Sequence, residues 1–158
     1  RTRTRIPHLF ACVACLIVGA VRAQTWVQAP SPGHERYGHV MVYEAATRRT
    51  VMYGGGGNGS PLWEYDGTSW RPIPAALLPT ATRNHAMVYD SERQATTLFG
   101  GDNWGLPLGE TWQLRGATFS RVPAAVSPPA RIGHAMAYDA ARRRIVLFGG
   151  MSAGGPLG

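Results

Sequence analysis

The sequence predicts an all-β fold made of repeated four-stranded antiparallel units. Three observations carry this. First, His39-Val40-Met41-Val42-Tyr43 returns as His85-Ala86-Met87-Val88-Tyr89 and again as His134-Ala135-Met136-Ala137-Tyr138, at spacings of 46 and 49 residues. Second, a glycine pair follows each copy: Gly54-Gly55, Gly100-Gly101 and Gly149-Gly150. Third, 20 Gly and 12 Pro are about a fifth of the 158 residues, a turn-rich balance that suits strands and not helices.

Residues 1–23 stand apart from the repeats. Arg1, Arg3 and Arg5 open the segment, a 13-residue apolar run follows from Leu9 to Val21, and Val21-Arg22-Ala23 suits a signal peptidase. This is the three-part pattern of a secretory signal peptide. The run is shorter than the roughly 20 apolar residues of a spanning helix, so no membrane span is expected. Without this segment the chain holds twelve Arg, nine acidic residues and no Lys, a charge of +3 in place of +7. Cys12 and Cys15 leave with the signal, so the exported chain has no thiol to oxidise. The expected location is secreted, periplasmic or cell-surface.

Residues 24–30 read as an extra outer strand, residues 34–74 as one unit, 80–123 as a second and 129–158 as half of a third. Within a unit, His-x-Met-x-Tyr alternates like a strand with three large side chains on one face. A polar turn leads to a nearly all-apolar second strand (Thr50 to Tyr53, Thr96 to Phe99, Ile145 to Phe148) that ends at the glycine pair. A Gly-rich loop then reaches the third strand (Leu62 to Tyr65, Glu110 to Leu114). Asp66-Gly67 and Arg115-Gly116 are short hairpin turns into a fourth strand carrying Trp70 or Phe119. Gln24-Thr25-Trp26-Val27-Gln28 looks like one more such fourth strand. Four antiparallel strands per unit make a propeller blade.

These residues resemble the kelch repeat, in particular the bacterial secreted kind similar to the central domain of galactose oxidase. The likeness rests on Arg-x-Gly-His (Arg36 to His39, Arg131 to His134), on the aromatic residue before each Gly pair, and on the spaced Trp63 and Trp112. The second unit departs, with Thr82-Arg83-Asn84-His85 moving the Arg by one and placing Asn where the others have Gly. The resemblance implies an all-β kelch-type β-propeller in which residues 24–30 supply the strand that closes the ring. Propellers close with about 4–8 blades, so a chain with about two and a half blades is expected to be an N-terminal piece of one. Residues 24–158 alone are then expected not to form a stable monomer.

Loops after the second and fourth strands of a blade emerge at one end, and function gathers on loops held by a rigid scaffold. Arg36, Asn58, Asp102, Asn103, Trp104 and Arg131 are the candidate ligand-face residues there, with Ser60 and Arg83 nearby. Trp104 offers a flat apolar face to a sugar ring, and Asp102 and Asn103 can bind hydroxyls. The competing reading has Trp104 packing over the edge of its own unit. His39, His85 and His134 could suggest a metal, but repetition at one position favours a structural role with bonds to backbone. No metal or cofactor is expected. The Tyr–Cys copper site of galactose oxidase cannot form in residues 24–158, which contain no Cys.

Arg48-Arg49 and Arg142-Arg143-Arg144 fall in the turns after the first strands and read as solvated tips, with acidic polysaccharide as the functional alternative. An exported chain at +3 without a nucleic-acid-binding motif excludes nucleic acid as partner. No general acid–base pair or nucleophile stands out. The expected function is a non-catalytic binding module for glycan or protein ligands. The alternatives are a carbohydrate-active enzyme, galactose-oxidase-like or epimerase-like, with its site in other blades, and a cell-surface adhesion repeat.

Overall fold

A computed structural model describes residues 28–31, 35–56, 61–81, 83–123 and 125–158. The signal segment, residues 24–27 of the expected closing strand, and Asn58 lie outside the described residues. Gln28 to Ser31 are irregular and exposed. The described residues form antiparallel sheets and no helix.

The first sheet is β1 (Val40–Glu44), β2 (Arg49–Tyr53), β3 (Leu62–Tyr65) and β4 (Trp70–Pro72), side by side in chain order. The second uses β5 (Ala86–Asp90) and β6 (Ala95–Phe99), then β9 (Thr111–Arg115) and β10 (Thr118–Arg121). Between β6 and β9 the expected Gly-rich loop contains a small hairpin, β7 (Asp102–Asn103) with β8 (Leu106–Pro107). The third sheet pairs β11 (Ala135–Asp139) with β12 (Arg144–Phe148), followed by the matching small hairpin β13 (Met151–Ser152) and β14 (Gly155–Pro156).

Turn chemistry explains these elements. Each turn from a unit's first strand to its second ends on a left-handed residue, Arg48, Gln94 or Arg143, with φ of 54°, 49° and 54°. The carboxylates of Asp90 and Asp139 accept backbone N–H bonds within their turns, from Glu92 and Arg93 and from Arg142. In the β3–β4 turn, Asp66 accepts N–H bonds from Ser69 and Thr68, which hold its carboxyl below the usual range.

The main core lies between the first two sheets. Val51, Tyr53 and Leu62 meet Met87, Leu98, Trp112, Leu114 and Phe119. Full burial of one such aliphatic side chain is worth about 1.5–3 kcal/mol. Tyr53 is placed by three contacts: its hydroxyl donates to the Pro79 carbonyl at 2.9 Å, and its ring lies 5.3 Å from His85 and 5.0 Å from Phe119. In the third unit the matching Phe148 is 71% exposed, because among the described residues no further sheet packs over it.

Junctions between units repeat as closely as the units. The first strands β1, β5 and β11 are neighbours. Asn84 N–H donates to Gly38 O at 3.0 Å, and Gly133 N–H donates to Asn84 O at 3.0 Å. These three positions have φ of 70°, 56° and 63°, which explains the Asn in the second unit: among residues with a side chain, Asn is one that tolerates this region. The glycine pairs are needed for close approach. A Cβ on Gly100 would stand 2.6 Å from the Arg131 carbonyl, and one on Gly101 would stand 2.6 Å from the Arg83 carbonyl.

Candidate functional site

Hairpin β7–β8 turns through Trp104 and Gly105, both left-handed, with φ of 56° and 89°. Two consecutive left-handed residues are the mark of a tight turn whose twist matches its strands. Gly suits that backbone and Trp does not. Asp102 holds the turn closed, accepting the Gly105 N–H at 2.8 Å. Its side chain also accepts from Asn84 Nδ2 at 2.7 Å and from Arg83 Nη2 at 3.2 Å. Burial pushes the Asp102 carboxyl up, but Gly105, Asn84 and Arg83 outweigh it, so the group stays ionised below its ordinary pKa.

Arg83 is thereby fixed between two aromatic rings. Its Nη1 donates to the Tyr37 hydroxyl at 3.1 Å. Its guanidinium carbon lies 5.7 Å from the Tyr37 ring centre and 5.8 Å from that of Trp104, within cation–π range. Tyr37 is 64% exposed and Trp104 87% exposed. The Tyr37 ring rests on Gly56, where a Cβ would come within 2.5 Å of it. Tyr37 comes from the first unit, and Arg83 and Trp104 from the second. Together they form an outward-facing platform across the junction.

The six sequence candidates separate. Trp104 does not pack over its own unit; it stands in solvent except for Arg83. Asn103 is half-buried on β7 beside it. Asp102, expected to meet hydroxyls, is 2% exposed with both oxygens engaged, so it braces the platform from below. Arg36 and Arg131 are likewise engaged with their own units. Arg36 Nη1 donates to Gly54 O at 3.1 Å and lies over Trp63, while Arg131 Nη1 donates to Gly149 O at 2.8 Å and is 6% exposed. Each ties its own glycine pair in place. Asn58 lies outside the described residues.

Tyr37 lies outside the six candidates, and Arg83 stands one residue away from the Arg36 position of its unit. Aligning the units on His resolves both: Tyr37, Arg83 and Ile132 occupy one position, two residues before His39, His85 and His134. Arg83 fills the Tyr slot, not the Arg slot.

The buried His85 and His134 wedge between units, His85 against Tyr53 and His134 5.5 Å from Phe99. The expected backbone bonds do not close with normal geometry, although backbone of Arg83 and Tyr53 lies beside His85 and that of Phe99 beside His134. Burial pushes His85 down to about 4; burial and the nearby Arg131 lower His134. Among the described residues no group of three His, Cys, Asp or Glu has the placement of a metal site.

At the opposite end the Arg runs are largely paired. Arg49 meets Glu64 at 3.1 Å, Arg142 meets Asp139 at 2.9 Å, and Arg143 meets Glu92 of the neighbouring unit at 3.1 Å. Back at the glycine-pair end, a cleft of about 380 Å³ lies beside Glu110 and Arg121, whose charges pair at 3.2 Å. No helix among the described residues is long and apolar enough to cross a membrane. No protein-family model matches the chain, and comparison with curated proteins finds no match.

Proposed function

We propose that the chain belongs to a secreted kelch-type β-propeller and acts as a non-catalytic binding module, with Tyr37, Arg83 and Trp104 as its ligand-facing platform. The propeller reading is supported by the recurring antiparallel sheets, the adjacent first strands, and the Gly38–Asn84–Gly133 ties between units.

One observation carries the binding role: Trp104 is 87% exposed in a left-handed backbone conformation. A side chain in that conformation costs about 1–2 kcal/mol, and here the exposed indole recovers no burial. Strain of this kind gathers at functional sites. The platform suits a glycan better than a protein surface, because flat rings stack on the C–H faces of sugars while the guanidinium between them donates to hydroxyls.

The test is glycan-array and titration binding of the full chain with W104A and Y37A. Each substitution is expected to weaken glycan binding about tenfold, the equivalent of about 1.4 kcal/mol. Unchanged affinity in both folded variants overturns the platform as the site.

A further inference from the structure

We infer that the platform takes an uncharged carbohydrate chain and discriminates against acidic ones; this deepens the glycan reading above and rests on it. A guanidinium between two exposed aromatics would suggest a carboxylate or sulfate ligand if it stood alone. It does not. Asp102 sits beneath it at 3.2 Å, ionised and buried, and compensates its charge. The Asp102 oxygens are already committed to Gly105, Asn84 and Arg83, which fixes the carboxylate in place. Among the other guanidinium groups described at this end, Arg36 and Arg131 are turned onto the carbonyls of Gly54 and Gly149, and Arg121 pairs with Glu110 at 3.2 Å.

An anionic sugar arriving at the platform meets a neutral ion pair and gives up hydration without gaining a free countercharge. An uncharged sugar gives up less and keeps every contact the site offers. Two of the five N–H donors of Arg83 are committed, to Tyr37 and to Asp102, so donors remain for hydroxyl oxygens. The Tyr37 hydroxyl accepts from Arg83, so its own proton is left to donate. Trp104 and Tyr37 present apolar faces to pyranose C–H groups on either side of these polar groups.

The experiment titrates the full chain with a neutral hexose oligosaccharide and with its uronate counterpart of the same linkage, at about 50 mM and about 500 mM NaCl. The neutral chain is expected to bind about tenfold tighter, with an affinity that salt changes less than about twofold. D102N keeps the shape of the brace and removes its charge, and is expected to shift the preference toward the uronate. R83Q serves as the second variant should D102N fail to fold, and is expected to weaken the neutral chain without improving the acidic one. Equal or tighter binding of the uronate, or a steep loss with salt, overturns the charge inference while leaving the platform in place. Saccharide binding that survives W104A unchanged overturns the platform itself, and this inference with it.

Discussion

Hairpin β7–β8 pairs Asp102 with Pro107 and Asn103 with Leu106, whereas hairpin β13–β14 pairs Met151 with Pro156 and Ser152 with Gly155. They sit at the same place in successive units, each following a glycine pair. The third-unit hairpin is self-contained: Ser152 Oγ donates to Gly155 O at 3.0 Å and accepts the Gly154 N–H at 3.1 Å, with Ala153 and Gly154 at its tip. The second-unit hairpin uses a buried carboxylate and a left-handed Trp for the same reversal. The backbone tie beneath is common to both, Arg83 with Asp102 and Ile132 with Met151. The scaffold therefore does not require Trp104 for this hairpin.

The most damaging change should strike what the hairpins share. Gly101 and Gly150 have φ of 89° and 94°, and a Cβ would meet the Arg83 carbonyl at 2.6 Å or the Ile132 carbonyl at 2.7 Å. G101A and G150A are each expected to cost about 3 kcal/mol in urea unfolding. A clear difference between them would break the equivalence of the two sites.

Acid should separate the junctions next. His85 has a folded pKa of about 4 against an ordinary 6.5, so the unfolded chain binds more protons between those values. Its contribution is present in full above pH 6.5 and is lost as pH falls toward 4, by up to about 3 kcal/mol. Urea midpoints at pH 7 and 4.5, for the wild type and H85Q, measure it; a pH dependence that H85Q leaves intact would assign the effect elsewhere.

Removing one brace has a smaller effect. D102A strands Asn84 and the Gly105 N–H and is expected to destabilise by about 2 kcal/mol, whereas M151A at the matching, exposed position should cost under about 0.5 kcal/mol. Comparable losses would contradict the contrast between the hairpins.

The smallest expected effect on stability is the most informative. W104N places Asn-Gly in a turn that favours it. It should leave stability unchanged or raise it by up to about 1 kcal/mol while glycan binding falls. A marked loss of stability would make Trp104 a structural residue.

Much of this fold was legible because repetition averages out local ambiguity. Three copies of His-x-Met-x-Tyr and three glycine pairs marked the strands, and Asp66-Gly67 marked its turn. The small hairpins were not legible, since two-residue strands carry no periodicity. Trp104 was visible as the odd residue in a repeated frame. The roles of Asp102, Arg36 and Arg131 were not, because sequence gives charge but not the direction in which a charged side chain is buried. Tyr37 was not legible because its counterparts in the repeat, Arg83 and Ile132, share neither its chemistry nor each other's.

The platform draws one ring from the first unit and its other two members from the second. Under the function proposed above, ligand preference is a property of neighbouring pairs of repeats and not of any repeat alone. Duplicating or exchanging one unit would dismantle one such half-site and create another without touching the chain elsewhere.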